Sequence, residues 1–350
     1  MCYLARGMRE RGHEPHVVCR AGSVCFERVK EMGLPAHEVA IRGDLDLLGA
    51  RRVAKLADEL DADILHAHTS RAHLAAAWGA RFARGKPACV VHRRVDFSIH
   101  KLPFRLSGLK YRRGVDRYIA VTAAVKRMLI QDGIAPERIE VIHSGTDLSR
   151  FENLPRKEGL RAELGIPEGA RVIGNVGFLV GHKAHEYLLE AAAMVLKDVP
   201  EAFVVVIGEG ERREFLETKA AELGVSSRVS MPGFRRDIPE CLREFDVFCL
   251  SSWGEGIGGV VLEAMAAGVP VVTAAAGGLD EVVRDGVNGI LTPIRRSDAL
   301  AEGILKVLGD ADLARRLTEE GRRTVTDSFS VDRMVEKTLA LYEDIFSRRA

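Results

Sequence analysis

The sequence of 350 residues lacks the features that mark membrane-spanning and secreted proteins. It has no run of 18 apolar residues that could form a membrane-spanning helix, and no signal peptide is evident. Its six cysteines form no CxxC pair, and most of them stand in apolar strand patterns. Reduced, mostly buried cysteines are typical of such patterns, so we expect a cytoplasmic protein.

The sequence lacks one element of each of two known patterns: the first strand of a doubly wound domain and the third glycine of a dinucleotide-binding motif. A doubly wound α/β domain begins with a strand and a glycine loop, whereas this sequence begins on a predicted helix over residues 2–11. A truncated chain, a misassigned start or another segment in place of the strand would each explain the difference. Further along, Gly208 and Gly210 begin a dinucleotide-binding motif, but Arg213 occupies the position of its third glycine, so support for NAD binding is weak.

The rest of the chain alternates between helices and strands. Apolar residues make up 47% and charged residues 29% of the sequence, which suits two domains with large cores and polar surfaces. The alternation predicts an α/β fold with parallel sheets covered on both faces. We predict an N-terminal domain over residues 1–154, a second domain over 155–329 and a C-terminal helix over 330–350.

The most informative stretch is Ser251–Val283. A buried strand precedes a loop rich in glycine, 254–259, and a helix of small residues follows over 260–267. Glycines let a backbone approach a ligand, and the start of a helix presents N–H groups and partial positive charge, so we predict an anion or nucleotide site here. Glu255 on the loop and Glu263 on the helix either serve this site or are surface charges.

Polar side chains also follow other predicted strands. His66 and His68 end one strand of the first domain, and His92 ends the next. Active groups gather beyond the carboxyl ends of parallel strands, which makes these histidines site candidates. In the second domain Lys183 precedes a helix, where a point charge and the helix dipole together suit a diphosphate.

No metal site is predicted. Residues 44–46 and 61–63 each spell Asp-x-Asp, a spacing that can hold a divalent cation. Both triplets precede or begin ordinary elements, and no further ligands stand near them.

A basic stretch runs from Arg84 to Arg127, with twelve Lys and Arg against two Asp. Within it, residues 97–113 interleave apolar and basic side chains. This combination suits the surface of an anionic membrane or a substrate that carries phosphates, although a solvated loop followed by a helix gives the same pattern. Nucleic acid is disfavoured as a partner because no recognised binding motif accompanies the charges.

The run EGIGGVVLEAMAAGVPVV, with Asp280 and Glu281 downstream, resembles the signature of the retaining GT-B glycosyltransferases of family 4. The resemblance spans nearly the whole chain, including DILHAHTSRA. It implies two Rossmann-like domains facing across a cleft that binds a nucleotide diphosphate sugar as the donor substrate. It implies neither a cofactor nor a metal.

The resemblance also implies roles for the residues of the glycine-rich unit. Glu263 would accept hydrogen bonds from the ribose hydroxyls, and Glu255 would contact hydroxyls of the donor sugar. Backbone N–H groups of Gly256, Ile257 and Gly258 would line the sugar and the diphosphate.

The other implied contacts lie elsewhere in the chain. Lys183 would stabilise charge on the departing diphosphate, and His68 would touch the donor sugar. Gly177 ends the strand before the Lys183 loop. Phe234 and Arg235 belong to a loop that would hold the nucleotide base largely through backbone atoms.

The predicted function is transfer of a sugar, with retention of configuration, to a cell-envelope glycan or lipid-linked acceptor. The basic stretch favours a lipopolysaccharide-type acceptor and a place at the inner face of the cytoplasmic membrane. Phe178 stands where the family has an arginine that contacts the diphosphate, so a degenerate, non-catalytic nucleotide-sugar- or glycan-binding protein is one alternative. A nucleotide-sugar epimerase and an NAD-dependent dehydrogenase are the others, and the nucleotide and sugar of the donor stay open.

The basic stretch generates a prediction about membrane binding. If residues 97–113 lie on an anionic surface, the protein will sediment with phosphatidylglycerol vesicles, and high salt will weaken that binding. Replacing Lys101, Arg105 and Lys110 with glutamine should lower the bound fraction. The matched control removes the same number of charges at lysines of the second domain and should bind as the unmodified protein does. Equal binding to neutral phosphatidylcholine vesicles would contradict the prediction.

Overall fold

The structure is a computed structural model that describes residues 1–43, 46–94, 114–152 and 159–349. The chain divides into two compact units, Met1–Gly145 with Val331–Ala350, and Thr146–Ser330. The predicted domains were divided after residues 154 and 329. Three parts of the sequence discussed above lie outside the described residues: the stretch 97–113, Asp44 of the first Asp-x-Asp triplet, and part of the predicted linker.

The first unit alternates helices with short strands. In chain order its elements are α1 (Cys2–Arg9), β1 (Val17–Cys19), α2 (Val24–Glu31), β2 (Ala36–Glu38), α3 (Leu47–Glu59), β3 (Ile64–Ala67), α4 (Ser70–Phe82), β4 (Ala88–Arg93), β5 (Arg117–Ala120), α5 (Ala123–Gln131) and β6 (Ile139–Val141).

The strands of the first unit form two parallel sheets. β1 pairs with β2 alone, and a second sheet has the order β3-β4-β5-β6. The strand that a doubly wound pattern places before the first helix has no counterpart among the described residues.

The apolar pattern of the sequence predicts strands over residues 13–19 and 38–41 in this unit, and the bounds of both predictions are wrong. The strand expected over 38–41 is Ala36–Glu38, because its partner β1 ends at Cys19, which pairs with Glu38. Val39 is buried instead as a packing residue against Val53. The strand expected over 13–19 covers only the last three of those residues, in part because Pro15 has no N–H to donate to a ladder.

The second unit continues the alternation with longer strands. Its elements are α6 (Leu160–Glu163), β7 (Val172–Val176), α7 (His185–Asp198), β8 (Phe203–Ile207), α8 (Arg213–Glu222), β9 (Val229–Gly233), α9 (Ile238–Leu242), β10 (Val247–Leu250), α10 (Gly259–Ala267), β11 (Val271–Ala274), β12 (Ile290–Thr292), α11 (Ser297–Gly309) and α12 (Ala311–Ser328). The last helix, α13 (Val331–Arg349), belongs to the first unit.

The sheet of the second unit is parallel and has the order β12-β11-β10-β7-β8-β9. Its central strands are buried, except for the half-buried Val176 at the end of β7, as expected for a sheet covered by helices on both faces. The neighbours β7 and β10 are not consecutive in sequence, so the crossovers turn in opposite directions there. Ligands of open α/β sheets bind beyond the carboxyl ends of strands at such a switch point.

Helices α1 and α13 cover one face of the β3–β6 sheet. Leu4 and Met8 from α1 pack with Val335 and Ile345 from α13 and with Ile119 from β5. All six cysteines are free thiols, three of them buried and three half-buried. Among the described residues, no helix combines the length and the apolar character needed to cross a membrane.

Candidate active site

The two loops that follow β7 and β10 form the centre of the candidate site. β7 and β10 lie side by side in the sheet, with Ile173 paired to Val247. Since both strands are parallel, the loops 177–184 and 251–258 emerge at the same edge. The residues that sequence analysis singled out in the second domain on separate grounds, Lys183 and Glu255, therefore come from adjacent loops.

Lys183 and Glu255 form an ion pair. The Lys183 Nζ donates to Glu255 Oε1 at 2.6 Å, and the two side chains are only 15% and 10% exposed. The aliphatic part of Lys183 lies over Gly177, with its Cδ and Cε 3.8 Å from where a Cβ on that glycine would be. The pair thus presents one cation and one carboxylate, close together and largely shielded from water.

Backbone contacts fix the two loops to each other. The Trp253 N–H donates to the His182 carbonyl at 3.0 Å, and the Ser251 hydroxyl donates to the Lys183 carbonyl at 3.2 Å. Ala184 adopts a left-handed conformation with a φ of 52° between the short 181–183 turn and α7. A left-handed conformation favours glycine, so alanine keeps this turn at some cost in strain.

The glycine-rich loop 254–259 is held from behind by the turn after β11. Gly277 has a φ of 60°, and a Cβ there would lie 1.7 Å from the Glu255 carbonyl oxygen. The Gly278 N–H donates to the Gly256 carbonyl at 2.9 Å. Gly258, with a φ of 64°, is the residue from which α10 begins, and Ile257 beside it is buried. The backbone of Gly256, Ile257 and Gly258 is therefore fixed at the positive end of a helix.

Glu263, the second carboxylate of the glycine-rich stretch, forms an ion pair with Arg150. Arg150 Nη1 donates to Glu263 Oε1 at 2.9 Å, and both side chains are partly exposed. Arg150 lies on a 3₁₀ turn, Leu148–Phe151. Sequence analysis missed this arginine, because the turn precedes the predicted second domain and carries no motif that pairs it with a helix over a hundred residues later.

A buried polar network lies directly beneath Lys183. The Asn175 side chain donates to the Cys249 carbonyl at 2.7 Å, which leaves its Oδ1 to accept from His185 Nε2 at 3.0 Å. Burial, and then the nearby Lys183 charge, lower the pKa of His185 to about 4. A neutral His185 thus ties the first turn of α7 to strands β7 and β10. Sequence analysis placed neither residue in the site.

Phe234 and Arg235 follow β9 at the same edge of the sheet. Phe234 is 69% exposed. Arg235 is held by both carboxylate oxygens of Asp237, at 3.0 and 2.7 Å, and by Glu163 at 2.6 Å. These hydrogen bonds raise its pKa further above the ordinary range. Since the guanidinium is occupied by carboxylates, any contact of Arg235 with a ligand is expected through its backbone.

His68 lies in the first unit, just beyond β3, and has two histidine neighbours. Its ring stacks on His66 at 4.1 Å between centroids, and the His92 ring is 5.4 Å away. Burial is the main cause that holds the pKa of His68 and of His92 well below the usual value, so both rings are neutral. Nitrogen atoms of the three rings lie within 4.8 Å of one another, close enough to share an ion. The expectation that no metal is required stays a prediction.

The fold and the second-unit site together define the class of the protein. Both units are α/β with parallel strands, and the second places a lysine, two carboxylates and a fixed glycine-rich loop at the carboxyl edge of its sheet. This arrangement can neutralise a diphosphate and bind hydroxyl groups. These are the features of a GT-B glycosyltransferase.

Comparison with known proteins identifies the family. Residues 1–150 match the family model Glycosyltransferase Family 4, and residues 156–324 match Glycosyl transferases group 1. The lipopolysaccharide core biosynthesis glycosyltransferase LpsE of Rhizobium meliloti is 30% identical over 97% of this chain and 93% of its own. The chain therefore belongs to the family 4, group 1 glycosyltransferases.

Two further proteins bear on the fold and the substrates. An Escherichia coli UDP-Gal:alpha-D-GlcNAc-diphosphoundecaprenol alpha-1,3-galactosyltransferase is 28% identical over 81% of this chain and 76% of its own. The crystal structure of Anabaena HepE in complex with UDP has a TM-score of 0.87 at 25% identity, covering 98% of this chain and 94% of that one. The GT-B fold predicted from the sequence is confirmed.

The buried His185 generates a prediction about acid stability. Its pKa falls from about 6.5 in the unfolded chain to about 4 in the fold, so the unfolded state takes up the proton first. The free energy of unfolding should therefore be insensitive to this group above pH 6.5 and fall by about 2–3 kcal/mol as the pH drops toward 4.5. In urea unfolding at pH 7.5 and 4.5, His185→Gln should lose less stability than the unmodified protein by about that amount.

The control is the exposed His13, whose replacement by glutamine should leave the acid sensitivity unchanged. An identical pH dependence for His185→Gln and the unmodified protein would show that His185 is not buried as a neutral imidazole.

Proposed function

We propose that the protein transfers a sugar from a UDP-sugar, with retention of anomeric configuration, to a cell-envelope glycan or lipid-linked acceptor. The observation that carries the proposal is the shielded Lys183–Glu255 pair at the carboxyl edge of the second-unit sheet. UDP is favoured as the nucleotide because the HepE structure contains it and the Escherichia coli relative is named for UDP-Gal. A lipopolysaccharide core or diphosphoundecaprenol-linked acceptor is suggested by the names of the two sequence relatives.

Lys183 is proposed to bind the diphosphate. A diphosphate that approaches the start of α7 would replace Glu255 as the partner of the Lys183 ammonium group. Negative charge grows on the diphosphate as the bond to the sugar breaks, and a fixed cation stabilises that charge most where water is excluded. Gly177, which leaves space beneath the lysine, would let the diphosphate approach the backbone.

Glu255, once released from Lys183, is proposed to accept hydrogen bonds from the sugar. Its carboxylate lies on the same loop as the N–H groups of Gly256, Ile257 and Gly258, at the start of α10. Donors from a helix start and acceptors from a carboxylate together suit a ligand that carries both hydroxyl groups and phosphate. His68 is proposed, as the family resemblance implies, to contact the donor sugar as a neutral imidazole.

Glu263 is proposed to bind the ribose hydroxyls. Arg150 holds one of its oxygens and thereby orients the carboxylate, while both side chains stay partly open to solvent. Phe234 and the backbone of Arg235 would contact the base, with the Arg235 side chain fixing the loop through Asp237 and Glu163.

The chemistry proposed for the reaction is a displacement at the anomeric carbon on the face of the leaving group. No protein nucleophile is required if the departing diphosphate accepts the proton of the attacking hydroxyl. We propose no metal for this step, because Lys183 and the helix starts would supply the positive charge.

A non-catalytic role in binding nucleotide sugars or glycans is the second candidate function. One observation favours it: Phe178, which replaces the arginine of the family pattern, is 71% exposed and brings no charge to the loop. Such a protein would bind UDP through the same residues but would release no UDP from any UDP-sugar.

Replacement of Lys183 tests the proposed activity. Lys183→Ala should lower turnover by about 100-fold or more, since it removes the charge that stabilises the departing diphosphate. The measurement is UDP release from UDP-glucose, UDP-galactose and UDP-N-acetylglucosamine, supplied with a bacterial cell-envelope lipid extract. Lys197→Ala is the matched control. Lys197 is exposed near the end of α7, the helix that follows Lys183, so its replacement should leave turnover unchanged. Turnover that survives in Lys183→Ala would contradict the assignment.

A further inference from the structure

The Gly-x-Gly motif that follows β8 packs against the loop that follows β7. A Cβ on Gly208 would lie 1.9 Å from the Gly177 carbonyl oxygen, and a Cβ on Gly210 would lie 2.4 Å from the Leu179 carbonyl oxygen. Only glycine permits two backbones to approach so closely. Instead of beginning a dinucleotide-binding motif, these glycines bring the chain after β8 against the loop 177–184.

Arg212 is the residue that this close approach places beside the β7 loop. Its N–H donates to the Leu179 carbonyl at 3.0 Å. Its Nη1 lies 3.9 Å from where a Cβ on Gly181 would be. After burial, the charges of Lys183 and Arg212 are the largest causes that lower the pKa of His185, because both lie near the first turn of α7. The β7 loop therefore has a second cation on its β8 side, while its own lysine contacts the β10 loop.

The guanidinium of Arg212 is held in place with part of its hydrogen-bonding capacity unused. Nη1 donates to Glu186 Oε1 at 3.1 Å, and the two side chains are 25% and 21% exposed. The Phe215 ring lies against the guanidinium, with its centroid 4.2 Å from Cζ. Among the described residues, the Nε and Nη2 of Arg212 have no hydrogen-bond partner. A guanidinium carries five N–H donors, so these two nitrogens can still bind a ligand.

The start of α7 lacks a side-chain cap. Ala184, which precedes the helix, has no oxygen in its side chain to accept from the first N–H groups. These groups form the positive end of the dipole of a helix of 14 residues. An uncapped helix start beside Lys183 and Arg212 suits an anion that carries more than a single charge.

A structural ion pair between α7 and α8 is the competing role of Arg212. Lys219 and Glu190 form a pair of that kind further along the same helices, with Nζ 3.0 Å from Oε1. The two helices are therefore joined by an ion pair that does not involve Arg212. Such a role would also leave the position of Arg212 beside the β7 loop unexplained.

The contact between Arg212 and Glu186 differs from that of an arginine held by its carboxylate alone. Arg235 binds both carboxylate oxygens of Asp237. Arg212 binds one oxygen of Glu186, and the other, Oε2, is buried without a hydrogen-bond partner in the part of the chain that the structure describes. Glu186 thus orients the guanidinium of Arg212 without occupying its remaining donors.

We propose that Arg212 binds the donor diphosphate as a second cation beside Lys183. This role rests on the proposed function, which gives the diphosphate to the start of α7. A diphosphate carries more than one negative charge at neutral pH, whereas Lys183 is a single cation. The free Nε and Nη2 of the planar guanidinium can bind one phosphate through two parallel hydrogen bonds, while Glu186 fixes its orientation. The exposed, uncharged Phe178 then costs the site no cation, since the charge comes from the neighbouring strand's loop.

Calorimetric titration with UDP tests this role. Arg212→Gln should weaken UDP binding at least ~10-fold, as expected for the loss of charge-assisted hydrogen bonds. Arg212→Lys, which keeps the charge but not the planar fork, should restore part of the affinity. Lys219→Gln, which breaks the other ion pair between α7 and α8, is the matched control and should bind UDP as the unmodified protein does. Unchanged affinity in Arg212→Gln, or an equal loss in Lys219→Gln, would overturn the proposal.

Removal of Arg212 also leaves Glu186 unpaired, so a second pair of variants separates ligand binding from folding. Glu186→Gln keeps the guanidinium and should bind UDP at least as tightly as the unmodified protein. Arg212→Gln combined with Glu186→Gln leaves no unpaired carboxylate and should weaken UDP binding as much as Arg212→Gln alone. A double variant that binds UDP like the unmodified protein would trace the loss to the carboxylate and overturn the proposal.

UDP release from UDP-sugars separates the role of Arg212 from the function on which it rests. If Arg212→Gln weakens UDP binding but the unmodified protein releases no UDP from any UDP-sugar, the transferase function fails while the role of Arg212 stands. If Lys183→Ala weakens UDP binding and Arg212→Gln does not, the role of Arg212 fails while the transferase function stands. An unmodified protein that binds no UDP would overturn both.

Discussion

The contact between Lys183 and Glu255 is the interaction on which the candidate donor site depends. It joins the loops of two strands that are adjacent in the sheet but far apart in the sequence. A buried ion pair is a weak source of net stability, yet loss of one partner leaves an uncompensated charge at a cost of about 3–5 kcal/mol. The lysine therefore needs an anion at all times, either the glutamate or a ligand in its place. A diphosphate meets that need, and the exchange of partners would free the glutamate for a sugar.

The rest of the site keeps this pair in place at the level of the backbone. A Cβ on Gly277 would clash with the carbonyl oxygen of Glu255. A Cβ on Gly208 would likewise clash with the carbonyl oxygen of Gly177, at a distance of 1.9 Å. Each loop of the pair is thus backed by a glycine that no larger residue can replace without moving the loop. Beneath them, Asn175 and His185 connect the first turn of α7 to the sheet. Rigid support of this kind holds polar groups at fixed positions toward a ligand, which lowers the cost of reorganisation when the ligand binds.

Much of this architecture could be predicted from the sequence, because periodicity and glycine punctuation are local signals. The strand, loop and helix around Glu255 were predicted almost to the residue, and Lys183 was placed before a helix start. Pairings over long sequence separations could not be predicted. Arg150 and Glu263 are more than a hundred residues apart in the sequence, and no motif near either residue indicates that they form an ion pair. The shortened β1 and the shifted β2 depend on their mutual register, which is a tertiary property. In the first unit the histidines stood out, but only the structure shows that the rings of His66, His68 and His92 lie side by side.

Calorimetry of UDP binding to Lys183→Ala, Glu255→Gln and the double variant tests the central claim most directly. If Glu255 neutralises Lys183 until a diphosphate replaces it, Glu255→Gln should bind UDP as tightly as the unmodified protein or several-fold more tightly. Lys183→Ala should bind at least ~10-fold more weakly, and the double variant should match Lys183→Ala, because Glu255 affects UDP only through the lysine. Unchanged UDP affinity in Lys183→Ala, or equal and additive losses in both single variants, would contradict the account.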